Sequence, residues 1–519
     1  MRKLTVIFLV FTFVFLLAAC GDDTDSGSEN NGNQVESTEL KIGINAQPTT
    51  LDIHKTANIL TRNIVKNIYE TLITFDEDYE IVPMLAESVD ESDDGKTYTF
   101  NLRQGVLFHN GDEMKAEDVI ASMERWLEST PPAQTVLGDA NFTAADDYTV
   151  VLELEESSAL ALPVIARTSQ QFAGIMPKEV IDSADSTGVT EYIGTGPYQF
   201  EDWKESQYVK LTKFEDYQVL ETGHPVVQKD AKINDVYFYI ASDAATLLTG
   251  VQTGEYDLVL DIHTEHYEQL KNDSNLEVDV ELYGENGLYF NKHEGLFTDQ
   301  KMRQAVNTAL NLDDLMQAAY GNKDLYELDS SYASEHQQGW YSEAGSEFYN
   351  QNDKEKAAQL LEEAGYDGEP IRIISSRDYE YVYNSGVVVM NELEKIGANV
   401  ELEVYDWATL MSKRDEKDAW HIFIAGGPFQ SIPIEMNVFS PSYFDGPLDD
   451  TIYGLVDDII HADTTEAAQE IWDELQGYTW EYLPFIKLGN FSKLNVISKD
   501  VKGYSRFEGP ILWDLTIEK

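Results

Sequence analysis

The chain has 519 residues, 42% of them hydrophobic and 11% aromatic, and carries 94 acidic against 36 basic side chains for a formal charge of −58. That balance excludes a nucleic-acid binder, because phosphate contacts need basic patches, and as a solvated acidic surface it says little about a small ligand. A single cysteine excludes disulfides, and the apolar content over this length predicts large cores shared among two or three domains.

At the N terminus, Arg2 and Lys3 precede an apolar run from Leu4 to Leu17 and then Ala18-Ala19-Cys20-Gly21. The run is shorter than the ~18 residues a spanning helix needs, so residues 1–19 read as a secretory signal peptide. The small residues before the cysteine resemble a bacterial lipobox, which implies a diacylglyceryl thioether on Cys20. Loss of Arg2 and Lys3 leaves 34 basic against 94 acidic residues, or −60. Residues 21–38 contain no aromatic and one aliphatic side chain, Val35. Behind Cys20 they predict a flexible acidic tether, 20–38, holding a globular body at the extracytoplasmic face of a cell membrane.

From Leu40 an alternating strand runs into a turn with Pro48. Residues 57–72 place Ile59, Leu60, Ile64, Ile68, Tyr69 and Leu72 near one face and Arg62, Lys66 and Glu70 mainly on the other, predicting an amphipathic helix. Asp93-Asp94-Gly95 interrupts a β-rich stretch before Tyr98, Phe100 and Leu102, which share a face, so a hairpin is expected. Residues 116–129 predict a helix whose first turn holds Asp118, a carboxylate that complements the dipole. A turn and a strand are expected over 141–154, and two strands around a polar loop over 194–214. After Asn291 helical spacing dominates at 299–320, 353–366 and 464–480, with strands at 371–376, 399–407 and 420–427, predicting a second α/β lobe.

Motifs for chemistry fail on inspection. In Gly194-Thr195-Gly196-Pro197-Tyr198-Gln199, Gln199 stands where a dinucleotide fingerprint needs glycine. Asp94 to Thr97 looks like the end of a phosphate loop, but Asp90 occupies its first glycine position. Asp90, Ser92, Asp94 and Gly95 match the start of a calcium loop, yet its twelfth position is Asn101, which cannot supply a bidentate carboxylate. His263 and His266 lack the partners of a zinc motif, and no Gly-x-Ser-x-Gly is present. No catalytic residue, metal or cofactor is expected.

The ordered run from Leu85-Ala86-Glu87-Ser88 through Asp93-Asp94-Gly95 and Phe108-His109-Asn110-Gly111 to Ala116-Glu117-Asp118-Val119 resembles the dipeptide and oligopeptide-binding receptors of ABC importers, extracellular solute-binding family 5. Gly194 to Tyr198, Tyr289-Phe290-Asn291, Arg303 to Val306 and Ala357 to Tyr366 resemble further landmarks in the same order. For most of these, scaffold roles are expected, Arg303 tying its helix to its neighbours. The resemblance implies an α/β, two-lobed, type II periplasmic-binding-protein-like fold with an additional small α/β domain and the ligand cleft between lobes. Lobe one would gather 39–65, 190–278 and 485–519, the small domain 66–189, and lobe two 279–484. It also implies a monomer without catalytic turnover that delivers short peptides to a membrane permease. Peptide receptors of this family hold the ligand α-amine with an aspartate in an Ala-Gly-Trp-x-x-Asp stretch. Here that stretch reads Ala425-Gly426-Gly427-Pro428-Phe429-Gln430. Either another acid such as Asp445 takes over, or the ligand is a metal chelate, an oligosaccharide or an opine-like compound. Gln47, Tyr289, Asn291, Trp407, Gly426, Gly427 and Phe429 are the expected cleft lining. A surface hydrolase or a signalling lipoprotein on the same fold is the alternative of another class.

Overall fold

Alternation builds the first strand: Leu40, Ile42 and Ile44 are buried along β1 (Glu39–Ile44). The computed structural model describes residues 38–337, 339–440 and 443–518. β1 belongs to an eleven-stranded mixed sheet with β2 (Tyr198–Lys204), β3 (Tyr208–Lys213), β4 (Asp235–Ile240), β5 (Leu258–Ile262), β6 (Leu276–Phe290), β7 (Tyr326–Glu327), β8 (Ile371–Ser376), β9 (Val400–Tyr405), β10 (Ile422–Pro428) and β11 (Phe485–Ser498). The order is β9-β8-β10-β6-β11-β5-β1-β4-β3-β2, with β7 paired to β11 outside that path. At one end β1 runs parallel to β4 and β5; at the other β8 runs parallel to β9 and β10.

Two long antiparallel strands join these halves. β6 pairs with Ser492–Ser498 through Leu276–Leu282, and with Phe485–Phe491 through Gly284–Tyr289, where β10 also flanks it. The β6–β11 register shifts between Leu282 and Gly284 and again between Asn286 and Gly287. Backbones approach closely there, and a Cβ on Gly284 would strike the Gly427 carbonyl. Bulges of this kind bend and twist a ladder without breaking the chain's continuity.

Beside the large sheet stands an antiparallel sheet of Ala86–Glu91, Thr97–Leu102, Thr149–Glu153 and Asn141–Asp146, in that order. The helix Ala116–Ser129 packs on it. Asp118 does more there than complement a dipole: Oδ2 accepts from the Lys115 N–H (2.9 Å) and Oδ1 from the Lys178 N–H (2.8 Å), so one carboxylate caps its own helix and ties the next.

Two local expectations are revised. Residues 141–146 form the edge strand of that sheet rather than a turn, because Phe142 alone among them is buried and the alternation is therefore faint. The helix expected over 57–72 is confined to Ile59–Val65. Asn58 caps its start, and the Asn67 amide takes the carbonyls of Asn63 and Ile64 at its end. Arg62, Lys66 and Glu70, expected mainly on the face opposite the apolar one, are themselves buried. Lys66 Nζ donates to the Phe507 carbonyl (2.8 Å), while Glu70 accepts from Thr195 and Tyr217 and pairs with Lys229. Arg303 behaves as expected, donating to the carbonyls of Leu483, Phe297 and Tyr482.

Candidate functional site

In open α/β sheets ligands collect outside the carboxyl ends of parallel strands. The second half presents three such ends, after β8, β9 and β10. Asp378, just past β8, accepts from the Trp407 N–H (2.7 Å), and Asp406 caps the helix that Trp407 opens. The Trp407 ring meets Tyr379 edge-on at 4.6 Å. Tyr379 remains 46% exposed, which is unusual for so large a ring. Beyond β10, the Phe429 N–H donates to the Tyr283 carbonyl (3.0 Å), drawing this corner onto the joining strand β6.

The expected lining residues fall into two groups. Trp407, Gly427 and Phe429 lie at these strand ends. A Cβ on Gly427 would meet nothing within 4 Å, so open space lies over it, whereas one on Gly426 would press Phe491 at 2.9 Å. Gln47, from the first half, is exposed, its Oε1 accepting from the Ser206 N–H in the β2–β3 turn (2.5 Å). Tyr289 packs inside the second half against Phe485, Phe423, Tyr443 and Phe444. The buried Asn291 amide donates to the carbonyls of Lys417 (2.6 Å) and Trp420 (2.9 Å), which fixes the loop before β10.

Asp445 is otherwise engaged: it is buried against Lys292 at 2.5 Å, and Lys292 also donates to the Pro484 carbonyl. Gln430 reaches the other half instead, accepting from the Gln170 amide.

That contact belongs to a polar seam where loops of the second half meet residues 167–170 and Glu508. Arg167 and Glu435 form an ion pair at 2.8 Å with side chains 2% and 3% exposed. Burial raises the Glu435 pKa, with Arg167 opposing the shift. The Ser431 hydroxyl donates to Glu508 Oε1 and shares a hydrogen bond with the Ser169 hydroxyl (2.6 Å), while Glu508 Oε2 accepts from the Thr168 N–H and hydroxyl. Glu508 holds a left-handed backbone, φ 44°, to stand there. The Gln337 amide donates to the carbonyls of Gln430 and Ser431, closing the loop from within the second half.

Sequence reading missed Tyr379, the seam residues, and two buried ionisable residues on the joining strands, Glu285 and Lys487. Their strands carry other polar and charged residues, but Glu285 and Lys487 fall in the continuously buried stretches of theirs. Burial pushes the Glu285 carboxyl up to about 7 against the pull of Lys487, and pushes the Lys487 ammonium down.

The family model for "Bacterial extracellular solute-binding proteins, family 5 Middle" matches residues 80–447. The "Probable peptide ABC transporter periplasmic-binding protein y4tO" of Sinorhizobium fredii is 28% identical over 482 residues, covering 86% of this chain and 88% of its own. Among solved structures, the substrate-binding protein CtaP of Listeria monocytogenes superposes with a TM-score of 0.81 at 22% identity, over 93% of this chain and all of that one. AgaA of A. tumefaciens R10, bound to agropinic acid, superposes at 0.74 and 24% identity, over 93% and 99%. Two halves sharing a mixed sheet and a family model matched over residues 80–447 agree: the chain belongs to the bacterial extracellular solute-binding proteins, family 5.

Proposed function

We propose that this solute-binding protein captures short peptides between its halves and hands them to an ABC permease as a monomer, without catalytic turnover. The observation that carries the reading is the seam: Ser431 and Glu435 of the second half meet Glu508 of the first and Arg167 and Ser169 of the 66–189 segment, as a receptor requires to shut out water and present one shape to a transporter. The name of the Sinorhizobium relative supports a peptide ligand. Trp407, Gly427 and Phe429 would meet the ligand from the second half and Gln47 from the first, with Tyr289, Gly426 and Asn291 shaping the wall behind. The division into lobe one (39–65, 190–278, 485–519), a small domain (66–189) and lobe two (279–484) belongs to the same reading. So does attachment to the membrane through Cys20, which lies with the signal peptide outside the described residues.

A second reading, an opine-like or other non-peptide solute, is favoured by Gln430 standing where an amine-binding aspartate is expected. Thermal melts of the full chain against di- to pentapeptides, amino-acid conjugates, metal chelates and oligosaccharides separate the two, because a ligand that binds only the folded state raises stability by RT ln(1 + [L]/Kd). Stabilisation by peptides supports the first; stabilisation by non-peptides alone overturns it.

A further inference from the structure

Glu285 is the chemical oddity of the second half. It is 8% exposed, Oε2 is buried without a hydrogen-bond partner, and among the described residues no ion pair reaches the carboxylate. Lys487, the cation that acts on it, spends its Nζ on the Ser331 carbonyl. A buried carboxylate without a partner is costly and persists when something outside the chain completes it.

The register shows where that partner would come from. Glu285 stands opposite Gly427 in the β6–β10 ladder, and directly opposed residues share a face. Nothing lies within 4 Å of where a Gly427 side chain would begin, so the open space over Gly427 adjoins Glu285. Phe429, two residues on, falls on the same face, and its ring centre lies 6.0 Å from Lys487 Nζ, on the Glu285 side of the sheet. The Tyr332 hydroxyl, which senses Glu285, is also buried without a partner. Tyr289 and Tyr443 face the carboxylate as well, and Lys487 is faced in turn by Asp329, Glu327 and Glu285. Acids thus outnumber the lysine, and the walls are phenols and rings, surroundings that favour a cation.

We infer that the space over Gly427 receives an ammonium group of the ligand and that Glu285 is its counter-ion, doing from the joining strand what Gln430 cannot do from the loop. The inference rests on the peptide reading and specifies it. The ammonium is the peptide's α-amine or a basic side chain, and the two are separated by the choice of probe.

Calorimetric Kd values for the full-length chain in detergent test this, using trialanine, N-acetyl-trialanine, N-acetyl-Ala-Lys-Ala and putrescine against wild type and Glu285→Gln. An α-amine partner predicts that acetylation of trialanine weakens binding at least ~30-fold in wild type and only ~2-fold or less in Glu285→Gln; a side-chain partner predicts the same pattern for the lysine peptide alone. Either result supports the assignment. Affinity for the ammonium-bearing peptide should also rise from pH 5.5 to pH 7.5 in wild type, as the carboxyl ionises, and stay flat in the variant, a response that a purely structural glutamate would not give. Peptides that bind with no sensitivity to acetylation, lysine or Glu285→Gln overturn the inference and leave the peptide reading intact. Putrescine binding that is lost in Glu285→Gln, with no peptide bound, keeps the ammonium site and overturns the peptide reading. No binding of any amine overturns both.

Discussion

An acid whose folded pKa lies above its ordinary value withdraws stability as it ionises. Glu285, pushed from 4.5 up to about 7 by burial, binds a proton in the folded chain at pH values where the unfolded chain has already released it. Its contribution is therefore harmless below pH ~4.5, grows more destabilising from there up to about pH 7, and levels off above. The ligand-free Glu285→Gln variant should melt above wild type at pH 8 and close to it at pH 4, read by calorimetry at both. Gly427→Trp offers a complementary test, since the space over Gly427 can accept a side chain. Its melting temperature should stay within a few degrees of wild type while ligand affinity falls more than tenfold. Part of this was readable in the sequence: Gly427 stood out because a tryptophan was expected there, whereas Glu285 and Lys487 are two among several charges on their strands. That they face one space was not readable, because only the register of three strands brings 285, 427 and 487 together.

Elements were legible wherever periodicity was strong. The helix Ala116–Ser129 and the strands Ile371–Ser376 and Val400–Tyr405 lie within a residue or two of where spacing predicts them. Periodicity misled where tertiary partners overrode it: Arg62, Lys66 and Glu70 looked like a wet face, but the 505–511 hairpin, Thr195 and Lys229 cover or pair them. Sequence spacing also gave no warning that β6 and β11 are each one strand serving two halves. Two substitutions test how local chemistry shapes elements. Asp118→Ala removes acceptors from Lys115 N–H and Lys178 N–H together and should cost about 1–2 kcal/mol in urea unfolding. Gly284→Ala drives a Cβ into the Gly427 carbonyl beside the first bulge; it should cost at least about 2 kcal/mol by the same measurement.

On the proposed reading of the whole molecule, the two halves close on polar contacts that water can replace. Glu435→Ala strands the Arg167 guanidinium in the closed form, a penalty of about 3–5 kcal/mol that opening relieves by rehydration. Small-angle scattering should show a larger radius of gyration for the ligand-free variant than for wild type. Replacing both partners, Arg167→Met with Glu435→Leu, should restore the compact value, because an apolar pair leaves no orphaned charge. An unchanged radius in Glu435→Ala would show that the ion pair does not govern closure.

The long strand β11 also sets a timetable. The first part of β6, Leu276–Leu282, pairs only with Ser492–Ser498, and β5 completes its second edge only against Leu494–Ile497. During synthesis those edges stay vacant until nearly the last residues leave the ribosome, so the first half cannot finish its sheet while the chain is growing. Non-local pairing of this kind is intrinsically slow. A chain whose central edges wait for its last strand stays open longer than one built from local pairings, so its folding rate should be set by the arrival of β11.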